Sequence, residues 1–293
     1  MSKKIHIAIG STTSLPGQLD RNLGQIADFA KRAADDGADL LLTPELSASG
    51  YGGFPEVIAV AETAGKGPIY ERLAKTSAAT GVVIAAGFAE LNGTKKHLSH
   101  YVVFPDGRFV VQRKHRVTEV ERPLEPVAPI APKVAGKENQ PTELRFEFFE
   151  VKGVRCVVSI CADAGITDIN AYFAKQGVEL LLGPTGAGGK REDRVTTEEL
   201  YSEAGREKYL KNLEKVFFPG SGATDCIKYR RALAAVNMCG YDGKKHYHVG
   251  HGMIINPMGE VAGFFHGIPN IDRQRPMYAE GIVDVEDRLR SQS

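Results

Sequence analysis

The amino-acid sequence predicts a layered α/β sandwich, in which mixed sheets carry helices on their outer faces. Three observations support this fold class. Near the N-terminus, an alternating strand segment, an amphipathic helix and a continuous apolar strand segment follow one another. Two later pairs of β-branched segments flank short turns, as in hairpins. Helical and strand segments then alternate towards the C-terminus, which is typical of sheets covered by helices.

The first part of the chain reads as a β-α-β unit followed by further helix and strand. Asp20 is placed to cap the first helix, and Gly37 is placed to end it. The run ADLLLTPE at 38–45 contains the continuous apolar stretch LLL, so we expect a strand buried on both faces. Up to residue 114, the patterns predict strands at 4–10, 38–45, 81–90, 98–104 and 108–114 and helices at 20–37 and 69–80.

The rest of the chain is more varied. Residues 121–141 contain five prolines and show no clear period, so we expect a loop over a sheet edge. No linker divides the chain, and we expect one domain over residues 1–293 with a charged insertion at about 185–220. After residue 141, the patterns predict strands at 144–151, 154–160, 178–182, 233–239, 252–256, 260–266 and 278–285 and helices at 168–176, 197–214 and 225–231.

The composition is that of an ordinary globular protein. The chain has 293 residues, is 42% hydrophobic and 25% charged, and carries a net charge of +1. This net charge gives no indication of a nucleic-acid or membrane partner. The four cysteines form no CxxC pair and no zinc spacing, and no signal peptide is seen. No apolar run approaches the roughly 18 residues of a membrane helix. We therefore expect a cytoplasmic protein with reduced thiols.

Three titratable residues stand at the carboxyl ends of predicted strands, where ligands of open α/β sheets bind. Cys161 follows the run VVSI and is placed for a nucleophile. Glu45 follows LLLTP, and burial there would raise its pKa and make it a general base. Lys114 follows FVVQR and would supply positive charge to an oxyanion. Each residue alone has an ordinary alternative, as a core cysteine, a solvated acid or a solvated lysine.

Taken in order, these residues resemble the Glu-Lys-Cys triad of the nitrilase superfamily of carbon–nitrogen hydrolases. The matching motifs are LLLTPELSASGY around Glu45, VVQRKHRVTEVER around Lys114 and VVSICAD around Cys161. The opening KIHIAIG and the late segments RRALAAVNMCG and GHGMIINPMGEV also resemble this family. The resemblance therefore covers most of the chain.

This resemblance implies a four-layer α-β-β-α sandwich that assembles into a homodimer or a larger homo-oligomer. It implies that Glu45 takes a proton from Cys161, whose thiolate attacks an amide or nitrile carbon. Lys114 and the backbone N–H of Ala162 would stabilise the oxyanion. The mechanism needs no cofactor and no metal ion.

Many members of the superfamily have a second glutamate after the lysine. Glu121 is the best match, because TEVER resembles the T-x-x-E-R of true nitrilases, and Glu119 and Glu125 are the alternatives. The acyl pocket is expected at residues 51–54, 121–126 and 185–220, with Tyr51 and Phe54 as substrate-binding residues.

The sequence departs from the family pattern directly after Cys161. Family members carry an aromatic or acidic residue there and a Phe-Pro-Glu a little later, whereas this chain has Ala162 and then Asp163 without Phe-Pro-Glu. The TEVER motif favours a nitrilase, and the CADA motif disfavours one. We expect a hydrolase of small amides or carbamoyl amides, with a nitrilase and a catalytically silent binding relative as the alternatives. Three titratable groups in one pocket are costly without a use, which argues against the silent relative.

Two further segments have more than one interpretation. Residues 246–251 carry three histidines, but no cysteine or acid stands beside them at the spacing of metal ligands, so we expect loop histidines that line the pocket. Within 185–220, Lys190, Arg191 and Arg194 indicate a lid or an oligomer contact. An exposed charged helix with a Gly-rich entry is the simpler alternative.

Overall fold

The computed structural model describes residues 3–132, 139–189, 195–216, 219–265 and 275–286. Lys190, Arg191, Arg194 and His266 lie outside these ranges. The strands are β1 (Lys4–Ser11), β2 (Leu40–Leu42), β3 (Val83–Asn92), β4 (Lys95–Val103), β5 (Phe109–Arg113), β6 (Phe148–Val151), β7 (Val154–Val158), β8 (Leu180–Thr185), β9 (Ala232–Asn237), β10 (Cys239–Tyr241), β11 (Tyr247–Val249), β12 (Gly252–Ile255), β13 (Val261–Phe265) and β14 (Met277–Asp284). The helices are α1 (Leu19–Asp35), α2 (Pro55–Ala59), α3 (Pro68–Thr80), α4 (Ile169–Lys175), α5 (Glu203–Val216) and α6 (Pro219–Tyr229).

Two six-stranded sheets are built on the same plan. The first has the order β14-β1-β2-β3-β4-β5 and the second the order β13-β12-β9-β8-β7-β6. In each, the central strands are parallel, namely β1-β2-β3 and β7-β8-β9, and the outer strands pair antiparallel. Strands β10 and β11 form a separate antiparallel pair.

The main core lies between the two sheets. Leu40 and Leu42 of the first sheet pack there with Val158 and Leu182 of the second. Leu41 points to the other face of its sheet, as expected from strand alternation, and packs under the helices α1 and α3.

The second sheet is covered in the same way on its outer face. Phe173 of α4 and Cys226 of α6 belong to the apolar clusters on that face. The layers therefore run helix, sheet, sheet, helix, and the predicted four-layer α-β-β-α sandwich is confirmed. The single domain over residues 1–293 stays a prediction.

Several predicted elements differ in extent. Asp20 lies in the first turn of α1 instead of capping it, where a carboxylate still favours the helix dipole. The strand predicted at 38–45 ends at Leu42, because Pro44 has no N–H for a sheet ladder. The short helix α2, which begins at Pro55, was not predicted.

Later elements also differ. Helix α6 begins at Pro219, six residues before the start predicted at 225, because Gly220, Ser221 and Gly222 are poor helix formers that mask it in the sequence. The strand predicted at 233–239 ends at Asn237, and Cys239 starts β10 instead. Across the described ranges, no helix has both the length and the apolar character needed to cross a bilayer.

Candidate active site

Four of the residues singled out in the sequence meet at one edge of the sandwich. Glu45 follows β2, Lys114 follows β5, and Cys161 follows β7 by three residues. Glu121 reaches the same place from a 3₁₀ turn, Glu119–Glu121. The side chains of Glu45, Lys114 and Glu121 are fully buried, and Cys161 is half-buried.

Lys114 bridges two carboxylates. Its Nζ donates to Glu45 Oε1 at 2.5 Å and to Glu121 Oε1 at 2.6 Å. Burial alone would lower the pKa of Lys114, but the two carboxylates and the nearby thiol outweigh it and hold that pKa above its ordinary value. Lys114 is therefore a fixed cation at this edge of the sheet.

Glu45 carries the features of a proton acceptor. Burial raises its pKa to about 8, the charge of Glu121 adds to this effect, and Lys114 and the Cys161 thiol oppose it. Within the described residues, Glu45 Oε2 accepts no hydrogen bond of normal geometry, although the thiol is close enough to affect its pKa. One oxygen of Glu45 is thus bound to Lys114 and the other remains available to a proton donor.

Cys161 begins a 3₁₀ turn with a φ of 48°, a left-handed conformation that is uncommon for residues other than glycine. Burial raises the pKa of its thiol to about 12, and the charge of Glu45 acts in the same direction. Lys114 and the backbone N–H of Gly186 lower it. The thiol is therefore protonated at neutral pH and needs a base before it can attack.

Of the three candidate second glutamates, Glu121 is the one that contacts Lys114. Its other oxygen accepts the backbone N–H of Thr118 at 2.8 Å, which fixes the carboxylate. Glu119 is exposed and pairs with Arg122, and Glu125 is exposed beside β4.

A buried aspartate, which sequence reasoning noted without giving it a role, joins the lysine segment to the cysteine turn. Asp163 Oδ1 accepts the backbone N–H groups of His115 at 3.1 Å and Arg116 at 2.7 Å. Arg116 Nη1 in turn donates to the Ala162 carbonyl at 2.8 Å. The residues after Lys114 are thereby tied to the residues after Cys161.

The segment after β8 closes over the site. A Cβ at Gly186 would lie 2.2 Å from the Tyr51 ring and 2.9 Å from Glu45 Oε2, so only glycine fits without a shift. The next carbonyl, of Ala187, accepts Asn237 Nδ2 at 2.9 Å and contacts His248 Nδ1 at 3.1 Å. His248 is one of the loop histidines expected to line the pocket, whereas Asn237 was not predicted, because it is distant in sequence.

The remaining predicted site residues occupy different positions. Tyr51 is buried, its hydroxyl contacts the carboxylate of Glu121, and its ring packs edge-on against His248 at 5.1 Å. Phe54 is half-buried, precedes α2 and packs against the main core. Ala162 follows Cys161 directly and is half-buried. The described residues contain no group of three histidine, cysteine or acidic side chains arranged to hold a metal ion.

The fold and this cluster define a nitrilase-like sandwich, and comparison with known proteins agrees. Residues 6–205 match the family model described as carbon-nitrogen hydrolase. The chain therefore belongs to the carbon–nitrogen hydrolase family, and the predicted nitrilase superfamily is confirmed. The prediction that the protein is a carbon–nitrogen hydrolase is also confirmed, at the level of the family.

Curated relatives share a quarter or more of their aligned residues. A nitrilase of Pyrococcus abyssi is 27% identical over 167 residues, which are 56% of this chain and 58% of the relative. An omega-amidase of Xenopus tropicalis is 28% identical over 169 residues, 56% of this chain and 57% of the relative. The match thus spans little more than half the length of these two relatives. A Schizosaccharomyces pombe protein named as a probable nitrilase is 25% identical over 272 residues, 91% of this chain and 84% of the relative.

Solved structures show the same fold. An amidase from Nesterenkonia sp. superposes with a TM-score of 0.68 at 20% identity, covering 99% of this chain and 95% of that chain. A variant of the Nesterenkonia sp. AN1 amidase superposes with a TM-score of 0.69 at 19% identity, covering 99% and 94%. That structure shows covalent addition of the acetamide moiety of fluoroacetamide at the active site cysteine of the Nesterenkonia protein.

Proposed function

We propose that this protein is a thiol amidase, which hydrolyses a small amide or carbamoyl amide to an acid and ammonia or an amine through a thioester on Cys161. The observation that carries the proposal is Lys114 held between the buried carboxylates of Glu45 and Glu121, beside the Cys161 thiol. The Nesterenkonia amidase with an acetamide moiety on its cysteine supports the choice of nucleophile and substrate class.

Acylation begins with proton transfer from Cys161 to Glu45. Because the pKa of the thiol is about 12 and that of Glu45 about 8, the thiolate forms only as the sulfur attacks the carbonyl carbon. The negative charge that develops on the carbonyl oxygen is stabilised by Lys114 Nζ and the N–H of Ala162. The C–S bond is formed, Glu45 gives its proton to the leaving nitrogen, and the C–N bond breaks.

Deacylation uses the same groups. Glu45 takes a proton from a water molecule that attacks the thioester, the C–S bond breaks, and the proton returns to the sulfur. Glu121 acts through Lys114 as a positioning residue, since it fixes the ammonium by a hydrogen bond of 2.6 Å.

A second candidate function is a nitrilase that converts a nitrile to the acid. Glu121 lies in the TEVER motif and contacts Lys114, which favours the nitrilase. Two relatives that are named as nitrilases also favour it. A catalytically silent relative is disfavoured because four titratable side chains share a buried site at a cost in free energy.

The experiment is ammonia release from a panel of small amides, carbamoyl compounds and nitriles, with Cys161→Ala as the control. We expect release from amides that disappears in the variant. Release from nitriles alone would replace the amidase by the nitrilase. No release from any compound, by folded protein that is alkylated at Cys161, would contradict both. The same proposal includes a cytoplasmic location and a homodimer or larger homo-oligomer. Light scattering of the purified protein tests the oligomer.

A further inference from the structure

The turn that begins at Cys161 is held by one arginine of the segment after β5. Arg116 is half-buried, and its Nη1 donates to the carbonyl of Ala162 at 2.8 Å. The same peptide group is held at its other end, because the N–H of Asp163 donates to the Ile160 carbonyl at 3.0 Å. Both polar atoms of the peptide group that follows Ala162 are therefore bonded, which fixes the plane of that group.

A second contact runs in the opposite direction. The carboxylate of Asp163 is fully buried and accepts the backbone N–H groups of His115 at 3.1 Å and Arg116 at 2.7 Å. His115 is itself anchored, since its Nε2 accepts the backbone N–H of Arg145 at 2.8 Å and its ring stacks on Phe146. Arg116 therefore extends from a backbone that is fixed relative to the cysteine turn.

The far end of the same turn leaves room for the guanidinium of Arg116. A Cβ at Gly165 would lie 2.1 Å from Arg116 Nη1, the atom that donates to the Ala162 carbonyl. Gly165 does not have a positive φ, so its backbone would accept an alanine. The side chain of Arg116 is then the group that would have to move, and the contact with Ala162 depends on the missing side chain at 165.

The residues around Ala162 give the turn little support of their own. Cys161 has a φ of 48°, a left-handed conformation that persists in residues other than glycine only where the surrounding structure holds it. Ala162 offers only a methyl group for packing. Its N–H, the proposed oxyanion donor, lies between Cys161 and the peptide group that Arg116 fixes.

We propose that Arg116 is a positioning residue, which acts through the Ala162 carbonyl to hold the Ala162 N–H where the oxyanion develops. A donor stabilises an oxyanion only when it is already within hydrogen-bond distance of it, so a shift of the turn weakens transition-state stabilisation more than substrate binding. Formation of the thiolate depends instead on proton transfer to Glu45. This inference rests on the proposed amidase function and adds a residue to it.

The kinetics of butyramide hydrolysis test the role of Arg116. Arg116→Met keeps a long side chain without its donors, and we expect kcat to fall by roughly 10- to 100-fold with little change in KM. Arg116→Lys can still donate to the Ala162 carbonyl and should restore part of the loss. Arg108→Met, which removes an exposed arginine in the turn between β4 and β5, is the control and should behave as wild type.

Gly165→Ala perturbs the same contact from the other side. The added methyl group should displace the guanidinium of Arg116 and lower kcat to a similar extent. Because both changes break one contact, the double variant of Arg116→Met with Gly165→Ala should be no slower than Arg116→Met alone. Losses that add in the double variant would show that the two residues act separately and would overturn the inference.

Alkylation distinguishes positioning from general damage to the site. Iodoacetamide loses iodide from a saturated carbon as the sulfur attacks, so no oxyanion forms and the N–H of Ala162 is not needed. We therefore expect Arg116→Met to be alkylated at Cys161 at the wild-type rate. A loss of alkylation equal to the loss of kcat would make Arg116 a structural residue. If Arg116→Met does not fold, Gly165→Ala gives the same two readouts.

Butyraldehyde binding separates this inference from the proposed function. The Cys161 sulfur adds to the aldehyde carbon, the C–S bond forms as the carbonyl π bond breaks, and the thiol proton ends on the new hydroxyl group. The oxygen of this adduct takes the place of the oxyanion, and no leaving group is required. Protection of Cys161 from iodoacetamide measures the binding, and Arg116→Met should weaken it by a factor similar to its loss of kcat.

The outcomes of the two measurements are distinct. Binding of butyraldehyde that depends on Arg116, without turnover of any amide by the wild type, would keep this inference and contradict the amidase. Turnover of butyramide with equal kcat in wild type and Arg116→Met would keep the amidase and contradict the inference. Neither binding nor turnover by folded wild-type protein would contradict both.

Discussion

The Nζ atom of Lys114 lies 2.5 Å from Oε1 of Glu45, and neither side chain has solvent-exposed surface. The carboxylate of Glu121 lies 2.6 Å from the same nitrogen. One ammonium thus faces two carboxylates in a medium of low dielectric, which leaves an excess negative charge until a proton is taken up. Burial raises the pKa of Glu45 to about 8, so Glu45 holds that proton near neutral pH.

This arrangement predicts a pH dependence of activity. Because the unprotonated Glu45 is the base, kcat/KM should rise with pH through about 8 and then level off. Glu45→Gln should abolish turnover at every pH. A rate profile that is flat between pH 6 and 9 in the wild type would contradict the assignment of Glu45 as the base.

Glu45 should also make the stability of the folded protein depend on pH, and stability should fall over the pH range in which activity rises. The pKa of Glu45 in the folded protein is raised above its value of 4.5 in the unfolded chain, so the folded state binds more protons between these values. Its contribution to stability is complete below pH 4.5 and is lost as the pH rises through about 8. Urea unfolding should therefore show a smaller fall in stability from pH 5 to pH 9 for Glu45→Gln than for wild type. Glu119→Gln, at an exposed position, is the control and should follow the wild type.

Replacing Lys114 should affect both activity and stability. Lys114→Met removes the positive charge from the oxyanion site, and we expect kcat to fall by roughly 10²–10³-fold. It also leaves two buried carboxylates without a cation, a loss of about 3–5 kcal/mol that shrinks at acid pH as Glu45 takes up a proton. Chemical denaturation at pH 5 and pH 8 measures the difference. Equal destabilisation at both values would show that the charge cluster is not its cause.

The two cysteines of the β7 segment should differ in reactivity. Cys156 is fully buried in the core between the sheets, and burial holds its pKa well above the ordinary value. Cys161 is half-buried at the turn beside Lys114. Iodoacetamide should label Cys161 first on the folded protein, and Cys161→Ala should remove that fast labelling. Mass spectrometry that finds Cys156 labelled at the same rate would count against the nucleophile.

The local sequence could predict those site residues that each lie in a recognisable motif of their own. Glu45 and Cys161 follow the parallel central strands β2 and β7. Lys114 follows β5, which runs antiparallel to β4 and therefore in the same direction as β3, so its carboxyl end lies at the same edge of its sheet as that of β2. Asn237 could not be placed, because its contact with Ala187 depends on the pairing of distant segments.

A cavity of about 220 Å³ that Arg231 lines could not be predicted from the sequence for a related reason. Its walls come from α4, α6 and the start of β9, and the beginning of α6 is hidden by residues with low helix propensity, Gly220 to Gly222. The contact of Arg231 with Asn170 joins residues 61 positions apart. A hydrophobic pattern that repeats every few residues cannot predict a contact between residues so far apart in the chain.

The close approach of Gly186 to the site yields the last prediction. Gly186→Ala would place a methyl group 2.2 Å from the ring of Tyr51 and 2.9 Å from Glu45 Oε2, the oxygen that must receive the thiol proton. Displacement of either group by about 1 Å costs roughly 100-fold in rate, so we expect a fall of that order in kcat. Gly24→Ala is the matched control, because a methyl group there meets nothing within 4 Å and lies in α1, where alanine favours the helix. Full activity in Gly186→Ala would show that the segment after β8 lies farther from Glu45 in the working enzyme.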